Sequence, residues 1–258
     1  QCPDGRPVQL LDFRGVNGEE LHGWAVLSDT GEPEPGFLWV PPYSRWSMLP
    51  NQYGTRLGMA SLSFNFFGES SFHQEAYKPE RGYFAEGIES PETWIFARMF
   101  QNACLGMRIL AELPGVDKDR LSACGMSQGG GMSVWLGSFC PLVSRVCADL
   151  PFLAGVPRLI AEGRIHRYPL KELVDWIGED SLRKEQVLET LSWFDTAHLA
   201  TRCRVPTQLT LGHKDPSVRP WQVQLIYEAL AGEKKLDELD WGHDWHPSMV
   251  DRNRDWMS

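Results

Sequence analysis

The amino-acid sequence predicts an α/β fold: a mostly parallel central sheet with antiparallel N-terminal strands, helices on both faces and a helical insertion. Three observations lead there. Short apolar runs alternate with longer amphipathic stretches, as strands do when crossover helices join them. Two strand-like runs near the start flank an Asn17-Gly18 turn signal, which marks an antiparallel hairpin. Residues 152–200 hold short amphipathic helical patterns and no strand signal. The 258 residues contain no repeat and no low-complexity tract, so 1–258 reads as one domain with 152–200 as its helical insertion.

Taken in order, PVQLLDF and LHGWAVL are the hairpin strands. GFLWVP and GMASLSF follow as strands bounded by glycine, proline and polar residues. A long helix is predicted in SPETWIFARMFQNACLGMRILAEL, with Ser90 as its N-cap, Pro91 at the first helical position, and its end before Pro114-Gly115. RLSACG is the next strand, a second helix begins around Gly129, and LVSRVCADL is again a strand. LKELVDWI and LRKEQVLETLSWF are helical stretches of the insertion. PTQLTLG returns to strand, RPWQVQLIYEALAG to helix, and KKLDELDW to a last strand.

Composition narrows the function. Hydrophobic residues at 42% and charged residues at 23% suit a soluble enzyme, and no apolar run is long enough to span a bilayer. A net charge of −9 with no basic stripe argues against nucleic-acid binding. The six cysteines form no CxxC pair and match no zinc spacing, so no metal site is predicted. They read as free thiols, which, with no secretory leader visible, leans toward a cytoplasmic location, a secreted or periplasmic one being the alternative.

One segment carries chemistry. Gly125-Met126-Ser127-Gln128-Gly129 is a G-x-S-x-G pattern between a predicted strand and a predicted helix, the setting of a nucleophile elbow. So tight a turn strains the serine backbone and crowds residues two positions away, which glycine relieves by having no Cβ. Gly130 and Gly131 extend the small surface for close packing of the helix. The competing reading is a plain glycine-rich turn. A phosphate loop is excluded because no Lys-Ser/Thr pair follows.

Such a serine needs an acid and then a histidine later in the chain. Asp215 lies just past the strand PTQLTLG, where it could equally be an ordinary turn aspartate; His213 beside it reads as loop scaffolding. DWGHDWHP offers His243 and His246 after the last strand. His243 is preferred as the first after the strand, with Gly242 giving its backbone freedom, and His246 stays as the alternative base. Two backbone donors are needed for an oxyanion. Gln128, following the nucleophile, is one. Pro41 and Pro42 have no N–H, so Tyr43 is the first residue after GFLWV able to supply the other; its alternative is packing at the pocket rim. Trp46 and Trp94 are candidate pocket residues or core.

These residues resemble the acetyl xylan esterase and cephalosporin C deacetylase family of α/β-hydrolases. The likeness is strongest in GYFAEGIESPETWIFARMFQNACLGMRILAELPGVDKDRLSACGMSQGGG and continues through VCADLPFL, SWFDTAHLATRCRVPTQLTLGHKDPSVRP and DWGHDW. It implies Ser127 as nucleophile, Asp215 as acid, His243 as base, and Tyr43 and Gln128 as oxyanion donors. It also implies deacetylation of small acetylated sugars or similar esters, no cofactor, and a possible homo-oligomer. The sequence departs from the family where an Arg-Gly-Gln signature is replaced by Phe67-Gly68-Glu69, which exchanges a bidentate guanidinium for an apolar ring. Two rivals accompany this reading: another acyl hydrolase on the same fold (peptidase, thioesterase or lactonase), and a binding module without catalysis.

Overall fold

The computed structural model describes residues 5–28, 31–43, 51–64, 66, 83–163 and 165–258. Trp46 and the Phe67-Gly68-Glu69 stretch lie outside the described residues.

The strands are β1 (Val8–Arg14), β2 (Glu20–Val26), β3 (Glu34–Val40), β4 (Ala60–Phe64), β5 (Val116–Met126), β6 (Arg145–Asp149), β7 (Thr207–Gly212) and β8 (Lys234–Leu239). They form one sheet in the order β1-β2-β4-β3-β5-β6-β7-β8. β1 and β2 pair antiparallel, as do β2 and β4. Every later neighbour is parallel. The predicted hairpin is present: Gly18, at φ +79°, donates its N–H to Gly15 O at 3.0 Å.

Strand alternation sends successive side chains to opposite faces. Leu38 and Val40 of β3 join the larger core, whereas Phe37 and Trp39 join a smaller one behind the sheet. The larger core takes in α1 (Ile95–Glu112), α2 (Gln128–Phe139) and α7 (Pro220–Ala229) through Met99, Trp135 and Ile226. The smaller core is closed by Met257 of α8 (Ser248–Met257), a helix the sequence reading did not anticipate. Its signal is the four-residue spacing of Met249, Asn253 and Met257, all buried.

Between β6 and β7 run α3 (Val156–Ala161), α4 (Leu170–Ile177), α5 (Ser181–Trp193) and α6 (Thr196–Ala200). Asp180 caps α5 by accepting the N–H groups of Leu182 and Arg183, and Asp195 caps α6 in the same way. The five described cysteines are free. Among the described residues no helix is long and apolar enough to cross a membrane.

The first long helix starts later than predicted. Residues 83–94 form turns, and α1 begins at Ile95. Ser90 does cap, but it caps a turn: its Oγ accepts the Thr93 N–H at 3.3 Å. Trp94 is the N-cap, extended at φ −60° and ψ 130°, and is fully buried with its indole N–H donated to Phe84 O at 2.7 Å. Trp94 is therefore core and lines neither cavity at Ser127.

Candidate active site

Ser127 stands alone between the end of β5 and the start of α2, at φ 57° and ψ −118°. A non-glycine residue adopts that conformation only where its surroundings impose it. The Ser127 N–H donates to Asp149 O at 2.9 Å, and its carbonyl accepts from the N–H groups of Gly131 and Phe152, each at 3.0 Å. Asp149 is itself fixed. Its carboxylate accepts from Thr210 Oγ1 at 2.6 Å and from Asn253 Nδ2 at 2.7 Å. Burial pushes this carboxyl above its ordinary pKa, against those two hydrogen bonds and the charges of Arg56 and Arg252.

The glycines permit the turn by what they lack. A Cβ on Gly125 would lie 2.5 Å from Gly129 C, and one on Gly129 would lie 2.0 Å from Val40 O. The start of α2 thus presses on the end of β3, where Tyr43 follows. A Cβ on Gly131 would meet Phe152 O at 2.6 Å, so the later glycines fit the chain leaving β6.

The structure brings Asp215 and His243 to this serine. His243 Nε2 is 2.9 Å from Ser127 Oγ, and His243 Nδ1 is 2.7 Å from Asp215 Oδ2. Asp215 stands both in a turn and against the imidazole. Oδ1 accepts the N–H groups of Ser217 and Val218 at 2.7 and 2.8 Å, as a turn aspartate does, leaving Oδ2 for the imidazole. Its side chain is sealed from solvent (0% exposed), while that of His243 is 20% exposed toward the cavity. His213 pairs instead with Glu238 at 2.8 Å on the surface. His246 is also elsewhere, with Nδ1 2.7 Å from Ser248 Oγ and its ring against Trp241. Gly242 corrects one expectation: its φ is not positive, and a Cβ there would meet nothing nearer than Lys214 O at 3.9 Å.

Gln128 begins α2, so its N–H has no acceptor within that helix and points from the positive helix end. Its side-chain Oε1 accepts from the Tyr83 hydroxyl at 2.9 Å. Tyr43 is buried, and its hydroxyl donates to Glu172 Oε1. Glu172, in the first turn of α4, also accepts the Phe84 N–H at 2.9 Å through Oε2. Burial raises its pKa, against the backbone N–H groups of Phe84 and Ala85. Neither Glu172 nor Tyr83 is a candidate site residue in the sequence: Glu172 lies outside every motif, and Tyr83 lies at the start of the stretch of strongest likeness without a catalytic pattern of its own.

Ser127 and His243 line two cavities. One, about 140 Å³, has apolar walls from Phe152, Leu159, Ile165 and Val218. The other, about 520 Å³, adds Tyr43, Asp244 and Trp245. Residues 166–169, directly before α4, border both. Among the described residues no cluster of three metal-binding side chains occurs.

A mostly parallel sheet, a serine on the strand-to-helix turn at its middle, and an aspartate and histidine supplied by the loops after β7 and β8 define an α/β-hydrolase. The family model described as acetyl xylan esterase (AXE1) matches residues 7–257, and the chain belongs to that family. Among solved structures, the acetyl xylan esterase from Paenibacillus sp. R4 is 22% identical with a TM-score of 0.86, covering 97% of this chain and 83% of that one. Acetyl xylan esterase 1 from Thermoanaerobacterium sp. is 21% identical with a TM-score of 0.81, covering 98% and 87%. A curated relative, the acetyl esterase Axe7A of Xylanibacter ruminicola, is 22% identical over 160 residues. That match takes in 62% of this chain, which spans about a third (35%) of the relative's length.

Proposed function

We propose that this chain is a serine esterase that deacetylates small acetylated sugars or related acetyl esters through an acyl-enzyme. The observation that carries the proposal is the continuous path of contacts from Ser127 Oγ through the two nitrogens of His243 to Asp215.

The chemistry follows from that path. Ser127 Oγ attacks the ester carbonyl as His243 Nε2 takes its proton. Asp215 accepts the Nδ1–H, which fixes the tautomer and stabilises the imidazolium. Negative charge gathers on the former carbonyl oxygen, where the backbone N–H groups of Gln128 and Tyr43 stabilise it. Collapse expels the alcohol, which takes the proton from His243 Nε2. Water, activated by the same nitrogen, then releases the acid and frees Ser127.

Acetyl is favoured as the acyl group by family membership, and the smaller cavity at Ser127 is consistent with a short acyl chain. A net charge of −9 supports a small-molecule substrate over nucleic acid. The test is a series of 4-nitrophenyl esters of increasing acyl length. The proposal expects kcat/KM to be highest for acetate and to fall as the chain grows. A maximum at long acyl chains, or turnover of amides in preference to esters, would overturn it.

A further inference from the structure

We infer that Glu172 is a positioning residue for the oxyanion hole, holding Tyr43 and the Tyr83–Phe84 segment in the register that aims the two backbone donors. The inference rests on the reading of Tyr43 and Gln128 given above.

The contacts converge on one carboxylate. Glu172 Oε1 accepts the Tyr43 hydroxyl and Oε2 accepts the Phe84 N–H at 2.9 Å. The Tyr43 ring packs 5.1 Å from the Tyr83 ring, centroid to centroid, and edge-on to Phe84 at 6.1 Å. Tyr83, next to Phe84, donates its hydroxyl to Gln128 Oε1 at 2.9 Å. Both residues assigned as oxyanion donors are therefore held by their side chains: Tyr43 by Glu172, and Gln128 by Tyr83, whose neighbour Phe84 also donates to Glu172.

The placement has a physical purpose. A backbone N–H stabilises an oxyanion only within about 2.7–3.1 Å of it, so a small rotation of Tyr43 forfeits the bond. Proline fixes φ at 41 and 42, which leaves the side-chain anchor to set the remaining orientation at 43. Charged acceptors hold donors more firmly than neutral ones. Packing alone would place an apolar side chain at this half-buried site, because burial disfavours the charge. Glu172 touches neither Ser127 nor His243 among its hydrogen bonds, so its role is exerted through Tyr43.

The test uses the full chain and four proteins besides wild type: Tyr43→Phe, Glu172→Ala, their double variant, and Ser127→Ala. Each is measured with 4-nitrophenyl acetate and with a small alkylboronic acid, whose tetrahedral adduct on Ser127 places an oxygen in the hole. Each single change at 43 or 172 should lower kcat about 10-fold, less than loss of a whole donor, with KM nearly constant. Boronate affinity should weaken by the same factor, and the double variant should be no worse than the worse single one. A rise in KM alone, multiplicative losses, or unchanged boronate affinity would overturn the inference. If Glu172→Ala fails to fold, Tyr43→Phe, which deletes one oxygen and keeps the backbone, decides it alone. An inactive Ser127→Ala beside a wild-type-like Tyr43→Phe would sink only the role of Glu172. An active Ser127→Ala would sink the acyl-enzyme and this inference with it.

Discussion

His243 and Ser127 are 116 positions apart in the chain, yet Nε2 lies 2.9 Å from Oγ. The contact is set by sheet order: β5, which delivers the serine, is three strands from β8, whose following loop reaches back over the strand ends. That loop is tied down by the one after β7, where the N–H groups of His213 and Lys214 donate to Leu239 O and Trp241 O at 2.8 and 2.9 Å.

The two histidines of this loop should separate cleanly. His243→Ala should lower kcat by about 10³-fold or more, because the proton acceptor is gone. His246→Ala should keep activity near wild type, since its ring bonds Ser248 and packs on Trp241. Steady-state hydrolysis of 4-nitrophenyl acetate checks both, and the reverse ranking would refute the assignment.

Asp215→Asn should leave the fold intact and remove most of the activity. The carboxamide oxygen can still accept from Ser217 and Val218, so the thermal midpoint should stay close to wild type. The amide facing His243 would favour the wrong tautomer, and kcat should fall about 10⁴-fold. A stable variant with ordinary kcat would show that the acid lies elsewhere.

Gly129→Ala should be far more damaging than Gly242→Ala. The added Cβ at 129 would sit 2.0 Å from a backbone oxygen, which cannot step aside, whereas at 242 the nearest atom is 3.9 Å away. Destabilisation should approach about 3 kcal/mol or exceed it at 129, with little change at 242. Urea unfolding midpoints measure the contrast. Equal midpoints would mean that α2 does not press on β3.

Asp149 makes stability depend on pH in a definite direction. Its pKa is raised by burial in the folded protein, so the folded state binds this proton more readily than the unfolded chain. The group's contribution therefore falls as pH rises through its folded pKa and improves on acidification down to the ordinary carboxylate value, about 4. The thermal midpoint of wild type minus that of Asp149→Asn should grow as pH is lowered from neutral toward 5. A difference that is flat or shrinks contradicts the sign.

The arrangement of Ser127, His243 and Asp215 is more legible in the sequence than the residues that support it. Ser127 was visible because a tight turn demands glycine at fixed offsets, and Asp215 and His243 because chain order and strand ends restrict where partners stand. The parallel sheet was visible through alternation of strand and helix patterns. Ser90-Pro91 misled because a hydroxyl followed by proline suits a turn as well as a helix start. Whether Trp94 packs inward depends on a carbonyl ten residues earlier, at Phe84, which periodicity does not reveal. α8 was missed because its buried face is Met249, Asn253 and Met257, too sparse and partly polar for an apolar stripe. Glu172 meets Tyr43 across 129 positions, and no local pattern encodes such a pairing.

The role of Ser127 as nucleophile is tested by reaction of the full chain with a fluorophosphonate, followed by peptide mass spectrometry and a parallel burst assay with 4-nitrophenyl acetate. One adduct is expected, on Ser127, at one equivalent, with loss of turnover in step with labelling and no adduct in the His243→Ala protein on the same timescale. Labelling at another residue, or full ester turnover after Ser127 is completely modified, would contradict that role.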